Sequence, residues 1–244
     1  MTDQPLAGRI ALVTGASRGI GFAAALGLAK AGAHVIAAAR TQAGLEELDD
    51  AIRAEGRPGA TLTPLDLRNG DDIDRLGGVL FQRFGRLDVL VSAAGDLGLI
   101  TPVAHLEPKT WDRAVAVNLT ANYRLIRAMD PLLRQSSAGR ALFLTSGAVG
   151  AKRPFWGAYA ATKAALEALV AAYSEETAHT GVRCVLLNPG PMRTRMRAQA
   201  FPGEDPSDLP PPDALAPLIV ELTRGDLSPP DGVVTFRAAP PHAP

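Results

Sequence analysis

The 244-residue chain has a single cysteine, Cys184, so a disulfide within the chain is excluded. It sits in Val182-Arg183-Cys184-Val185-Leu186-Leu187, a run that reads as a buried strand, where a lone thiol serves as a small core hydrophobe. Net charge is also missing. The 25 basic side chains balance 25 acidic ones, which removes the electrostatic reason to expect nucleic acid or an anionic membrane as partner. No stretch is apolar for long enough to span a bilayer, and Met1-Thr2-Asp3-Gln4-Pro5-Leu6 has no basic segment leading into an apolar run, so a cytoplasmic protein is expected. Neither an internal repeat nor a linker interrupts the chain, and no metal site is expected. What is present is 47% hydrophobic and 20% charged residues, enough for one α/β domain with a large core, acting on a small molecule.

Short apolar runs alternate with longer amphipathic segments as far as about residue 190, the pattern of strand-helix-strand units in a parallel sheet covered on both faces. The expected strands are Arg9–Val13, His34–Ala39, Ala60–Pro64, Leu87–Val91, Ala141–Thr145, Arg183–Leu187 and Val233–Phe236. The expected helices are Gly19–Ala31, Gln42–Glu55, Asp71–Phe84, Trp111–Leu133 and Gly157–Thr180. This predicts a Rossmann-like, doubly wound sheet of about seven strands in a three-layer α/β/α sandwich. Pro189-Gly190-Pro191 ends the sixth strand, and the proline-rich, acidic segment Phe201–Asp213 reads as part of a lid insertion around 192–212, with a short helix after it. A frayed tail is expected over 239–244.

Gly15, Gly19 and Gly21 stand between the first strand and the helical pattern that follows. Glycines at a strand-to-helix turn let a pyrophosphate approach the backbone and the free amides of the helix N-terminus, although a tight turn without a ligand uses the same residues. The spacing, GxxxGxG, differs from the GxGxxG of two-domain dehydrogenases. At the end of the second strand, where an NAD-preferring domain presents a carboxylate to the ribose, this chain has Ala39 followed by Arg40. Arg40 and Arg18 would then face a 2′-phosphate and favour NADP(H) over NAD(H), or project into water. Asp66 is placed either to accept a hydrogen bond from an adenine amino group or to cap the next helix.

Tyr159 and Lys163 lie four residues apart on one expected helix, with Ser146 thirteen residues upstream of the tyrosine. A phenol loses its proton only near pH 10, so a tyrosine that exchanges protons near neutrality needs a cationic neighbour. That chemistry suits reduction of a carbonyl or oxidation of an alcohol.

Taken together, Thr14-Gly15-xxx-Gly19-x-Gly21, Asn118, Ser146, Tyr159-xxx-Lys163, and Asn188-Pro189-Gly190 followed by Thr194 resemble the short-chain dehydrogenase/reductase family over roughly residues 7 to 196. The resemblance implies an NADP-dependent oxidoreductase in which Tyr159 is the general acid or base. Lys163 would depress its pKa and bind the nicotinamide ribose, Ser146 would bond the substrate oxygen, and Asn118 would anchor a relay water. Ser17, Arg18, Ile20, Leu67, Ala94, Gly95, Pro189, Gly190 and Thr194 would join the three glycines, Arg40 and Asp66 around the cofactor. A homodimer or homotetramer is implied as well.

Two segments depart from the family pattern. Ser92-Ala93-Ala94-Gly95 replaces Asn-Asn-Ala-Gly, which predicts looser bracing of the central sheet, and Asp231-Gly232-Val233-Val234-Thr235-Phe236-Arg237 is a variant last strand. The substrate pocket is expected between Asp96–Val103, Gly147–Trp156 and Arg193–Pro212. The competing reading is a non-catalytic dinucleotide sensor of the same fold, which would have no need of Ser146, Tyr159 and Lys163 together.

Overall fold

In the first strand, β1 (Ile10–Thr14), Ala11 and Val13 enter one apolar cluster and Leu12 the opposite one. That period-two division repeats along the sheet, because strands buried on both faces need apolar residues at successive positions. The computed structural model describes residues 4–226 and 232–237, so the expectations for residue 231 and for the tail at 239–244 lie outside the described residues. The remaining strands are β2 (His34–Ala39), β3 (Thr61–Pro64), β4 (Val89–Ser92), β5 (Arg140–Leu144), β6 (Arg183–Asn188) and β7 (Val233–Thr235). All pair in parallel, in the order β3-β2-β1-β4-β5-β6-β7. The expected Rossmann-like architecture is therefore correct. The order reverses between β1 and β4, and such a switch point opens a crevice beyond the strand C-termini.

On one face lie α1 (Gly19–Lys30) and α2 (Gln42–Ala54), on the other α3 (Gly70–Phe84). The consecutive alanines Ala23, Ala24 and Ala25 of α1 are all buried, and their small size lets this helix sit close to the sheet. On α2 and α3 the buried residues recur at helical spacing: Leu45, Leu48 and Ile52 on the first, Ile73, Leu76 and Leu80 on the second.

The helix expected over Trp111–Leu133 is three pieces: α4 (Pro108–Val115), a π turn over Ala116–Thr120, and α5 (Ala121–Arg134). Pro108 starts the first piece early, since proline is favoured in a first turn. Within the turn the Ala121 amide reaches back five residues to the Ala116 carbonyl, and Asn118 sits inside this widened turn. The next helix, α6 (Gly157–Thr177), stops three residues before the expected Thr180. A short helix that was not anticipated, α7 (Arg195–Ala200), begins the segment read as a lid, and α8 (Ala216–Leu222) returns to the α1 face. No described helix is long and apolar enough to cross a membrane.

At the N-terminal end of the sheet, Asp88 accepts hydrogen bonds from the Ile10 amide at 2.9 Å and the Ser136 hydroxyl at 2.5 Å, and pairs with Arg86. Arg140 donates to the carbonyls of Gly139, Arg224 and Gly225. Most polar groups there are held by the chain itself, including Arg9 Nη2 by the Asp88 and Ala138 carbonyls, while Arg9 Nε is buried without a hydrogen-bond partner.

Candidate active site

Thr14 ends β1 and the chain turns at Gly15, whose φ is 69°. A Cβ on Gly15 would come within 2.9 Å of the Ala94 backbone, and one on Gly21 would overlap the Gly15 carbonyl oxygen. Glycine is thus required for this turn to lie against the end of β4 and against the start of α1. Arg18 precedes α1 without any side-chain cap, and the first-turn residues Gly19, Ile20 and Gly21 line a cavity of about 670 Å³. Uncapped first-turn amides at a cavity wall suit an anion such as a pyrophosphate.

The same cavity is lined by Ser17, Arg18, Arg40, Asp66, Leu67, Ala94, Gly95, Tyr159, Lys163, Pro189 and Thr194. The residues expected around a dinucleotide are therefore gathered there, apart from Gly190, which is held in a turn by its amide bonding to Asn188 Oδ1 at 3.1 Å. Asp66 does not cap α3, whose N-cap is Asn69. Its carboxylate instead accepts hydrogen bonds from Arg68, which hold it below the usual carboxylate range. Arg18 and Arg40 form no ion pair among the described residues.

Tyr159 and Lys163 occupy the first two turns of α6, and both are buried, the tyrosine 8% exposed and the lysine 3%. The phenol hydrogen-bonds Ser146, but burial is the larger influence and raises its pKa above the ordinary tyrosine value. Burial lowers Lys163 to about 8, against a smaller opposite pull from the Glu167 carboxylate. Its ammonium donates to the Leu144 carbonyl at 2.7 Å and lies 5.9 Å from the centre of the Tyr159 ring. Burial and the Ser146 hydrogen bond set the direction at Tyr159, and the expected lowering of its pKa by Lys163 is not among these influences.

Asn118 is fully buried and lies behind the cavity wall. Its Nδ2 donates to the Asp96 carbonyl at 2.8 Å and to Thr162 Oγ1 at 3.0 Å, while its Oδ1 accepts from the Asp96 amide at 2.8 Å. Both side-chain donors are spent on the protein, so the side chain braces the loop after β4. The looser bracing expected from Ser92 is also not found. Ser92 Oγ donates to Asn122 Oδ1 at 2.7 Å, and Asn122 Nδ2 donates to the Asn118 carbonyl at 2.8 Å, which ties β4 to the helix beside it. A buried bond of this kind contributes about 1 kcal/mol.

The family described as short chain dehydrogenase matches residues 9–205. This chain belongs to the short-chain dehydrogenase family. It is 38% identical to the uncharacterized oxidoreductase YciK of Escherichia coli K12, over 97% of this chain and 94% of that protein. A short-chain dehydrogenase structure from Salmonella enterica serovar Typhi matches with a TM-score of 0.91 at 36% identity, covering 97% of this chain and 98% of the other. Another, from Escherichia coli CFT073 and complexed with NADPH, matches with a TM-score of 0.87 at 37% identity, covering 93% of this chain and 95% of that one.

Two further charged residues, one on the cavity wall and one acting on Lys163, were not anticipated. Arg113 Nε donates to Asp96 Oδ2 at 2.8 Å and lines the cavity, a pairing across 17 residues with no local signal. Glu167, which accepts from Thr145 Oγ1 at 2.5 Å, stands four residues after Lys163 on the same helix face, a spacing that would have revealed it. The pocket also differs from expectation in one wall: Asp96 to Gly98 and residues from Arg193 to Pro212 line it, but none from Gly147 to Trp156.

Proposed function

We propose that this oxidoreductase transfers a hydride between NADP(H) and a small carbonyl or alcohol substrate, with Tyr159 as general acid. The observation that carries the reading is a buried phenol, hydrogen-bonded to Ser146, at the wall of a cavity also lined by an uncapped helix N-terminus behind a glycine turn. Because burial raises its pKa, Tyr159 holds its proton at neutral pH, which is the state that protonates an alkoxide in the reductive direction. Ser146, already paired with that phenol, donates to the substrate oxygen and fixes it within reach of the proton. Lys163 anchors the nicotinamide ribose from the same helix. Asn118, whose side chain is occupied by Asp96 and Thr162, supports a proton relay by fixing the π turn. Nicotinamide, when bound, supplies the hydride.

Three observations support NADP(H) over NAD(H). Ala39 offers no carboxylate to the ribose, Asp66 is engaged by Arg68, and Arg18 and Arg40 line the cavity free of ion pairs among the described residues. The relative complexed with NADPH adds to these. Thr194, Pro189 and Gly190 are assigned to the nicotinamide end, and the 192–212 segment to a lid of this one domain. A cytoplasmic homodimer or homotetramer acting on small molecules completes the reading. NADPH titration followed by energy transfer from tryptophan to the nicotinamide tests the cofactor half. Saturable transfer is expected, and its absence at millimolar NADPH would refute this half.

A further inference from the structure

Trp156 lies outside the cavity wall, yet its ring meets the Tyr159 ring edge-on at 6.0 Å between centroids. On it also lie the Arg153 guanidinium, 6.0 Å from its ring centre, and the ring of Phe201, at 5.6 Å, the residue that caps the C-terminus of α7. The Arg197 guanidinium stacks over Phe201 at 3.7 Å and is gripped by Glu204 through two 2.6 Å bonds. Thr194 accepts a hydrogen bond from the Arg197 amide and caps the same short helix. A continuous line of contacts therefore runs from Thr194, through α7, to the catalytic phenol.

The loop that delivers Trp156 is held in an unusual backbone conformation. Phe155 has φ of 73°, a left-handed conformation that is strained for a bulky residue. Its carbonyl accepts the Thr101 amide at 3.1 Å, which fixes the bend. Its own ring is 51% exposed, so the side chain gains little from the arrangement. What the bend does is turn the next residue, Trp156, inward between Tyr159 and Phe201.

We propose that Trp156 is a positioning residue, which with Phe201 couples the placement of the 194–204 segment to the orientation of the Tyr159 ring. Proton transfer is sensitive to donor placement, and an error near 1 Å costs on the order of a hundredfold in rate. Edge-to-face aromatic pairs resist such displacement beyond their burial alone. The inference rests on the reading of Tyr159 as proton donor.

The test compares Trp156→Leu, Trp156→Phe and Phe201→Leu with the wild type, using NADPH and the fastest substrate from a panel of aldehydes, ketones and β-ketoesters. Trp156→Leu is expected to lower kcat about tenfold and Phe201→Leu about fivefold, with KM and the NADPH Kd within about twofold, while Trp156→Phe keeps most of the rate. The sequence has two tryptophans, so a Trp111→Phe background leaves Trp156 as sole reporter, and Phe201→Leu there should raise its quenching by acrylamide. Wild-type kcat in both leucine variants, or a change confined to KM, overturns the coupling. Equal losses in Trp156→Phe and Trp156→Leu overturn it too, since an aromatic ring would then not suffice. If the wild type reduces nothing in the panel, or if Tyr159→Phe turns over as fast as the wild type, the underlying reading fails and takes the proposal with it.

Discussion

At the N-terminal end of the sheet the Asp88 carboxylate, in a residue 6% exposed, is shared by the Ile10 amide, Arg86 and Ser136. At the C-terminal end, Arg18, Arg40, Arg193 and Arg195 line the cavity, and none forms an ion pair among the described residues. The two acidic groups lining that cavity, Asp66 and Asp96, are already bound by Arg68 and Arg113. Charge that the chain satisfies internally secures the strand starts, whereas cationic groups left around a cavity fit an anionic ligand. The contrast separates fold from function within one sheet, because changes at one end should act on stability and at the other on binding.

The largest effect is expected from Asp88→Ala, which strands Arg86, Ser136 and the Ile10 amide without their acceptor. A loss of about 3 kcal/mol in unfolding free energy is expected from chemical denaturation, with the NADPH Kd unchanged. A Kd that rises in parallel would erase the division between the two ends. Next is the paired replacement Arg18→Ala with Arg40→Ala, expected to weaken NADPH binding by about 30-fold while leaving NADH binding and the melting temperature near wild type. Equal weakening toward both nucleotides would show that these arginines do not read a 2′-phosphate.

The smallest effect concerns Lys163, which sits between the two regimes as a buried cation at the functional end. Its folded pKa, about 8, lies below the unfolded value of 10.5, so the unfolded chain binds more protons between those limits. The cost of burying the ammonium is therefore full below pH 8 and fades as pH rises toward 10.5. Relative to Lys163→Met, wild-type unfolding free energy should rise by about 1 kcal/mol per pH unit through the middle of that window. A flat difference would mean the ammonium is solvated in the folded protein.

The fold was legible because the strands are written as apolar runs: His34–Ala39 matches β2 at both ends, and the other strands shift by no more than two residues. Glycine positions and the Tyr159/Lys163 spacing carried the site in the same way, as local patterns. What escaped depends on distance or on a change of helical pitch. The apolar periodicity runs on through Ala116–Thr120, so nothing local marks the π turn around Asn118. The helix α7, Arg-Met-Arg-Ala-Gln-Ala, has no buried residue and hence no apolar face to read. Bonds such as Ser136 to Asp88, 48 residues apart, exist only once the sheet is assembled. The raised pKa of Tyr159 belongs to that group as well, since it comes from burial in the assembled fold, which the Tyr159/Lys163 spacing does not reveal.

The central claim, that this cavity carries out reduction through a tyrosine proton, is tested most directly by NADPH consumption over the carbonyl panel with wild type and Tyr159→Phe side by side. The account predicts reduction of at least one compound by the wild type and a loss of about a thousandfold in kcat in the variant, with NADPH bound equally tightly by both. NADPH bound by both proteins but oxidised by neither, or turned over equally fast by the two, would contradict it.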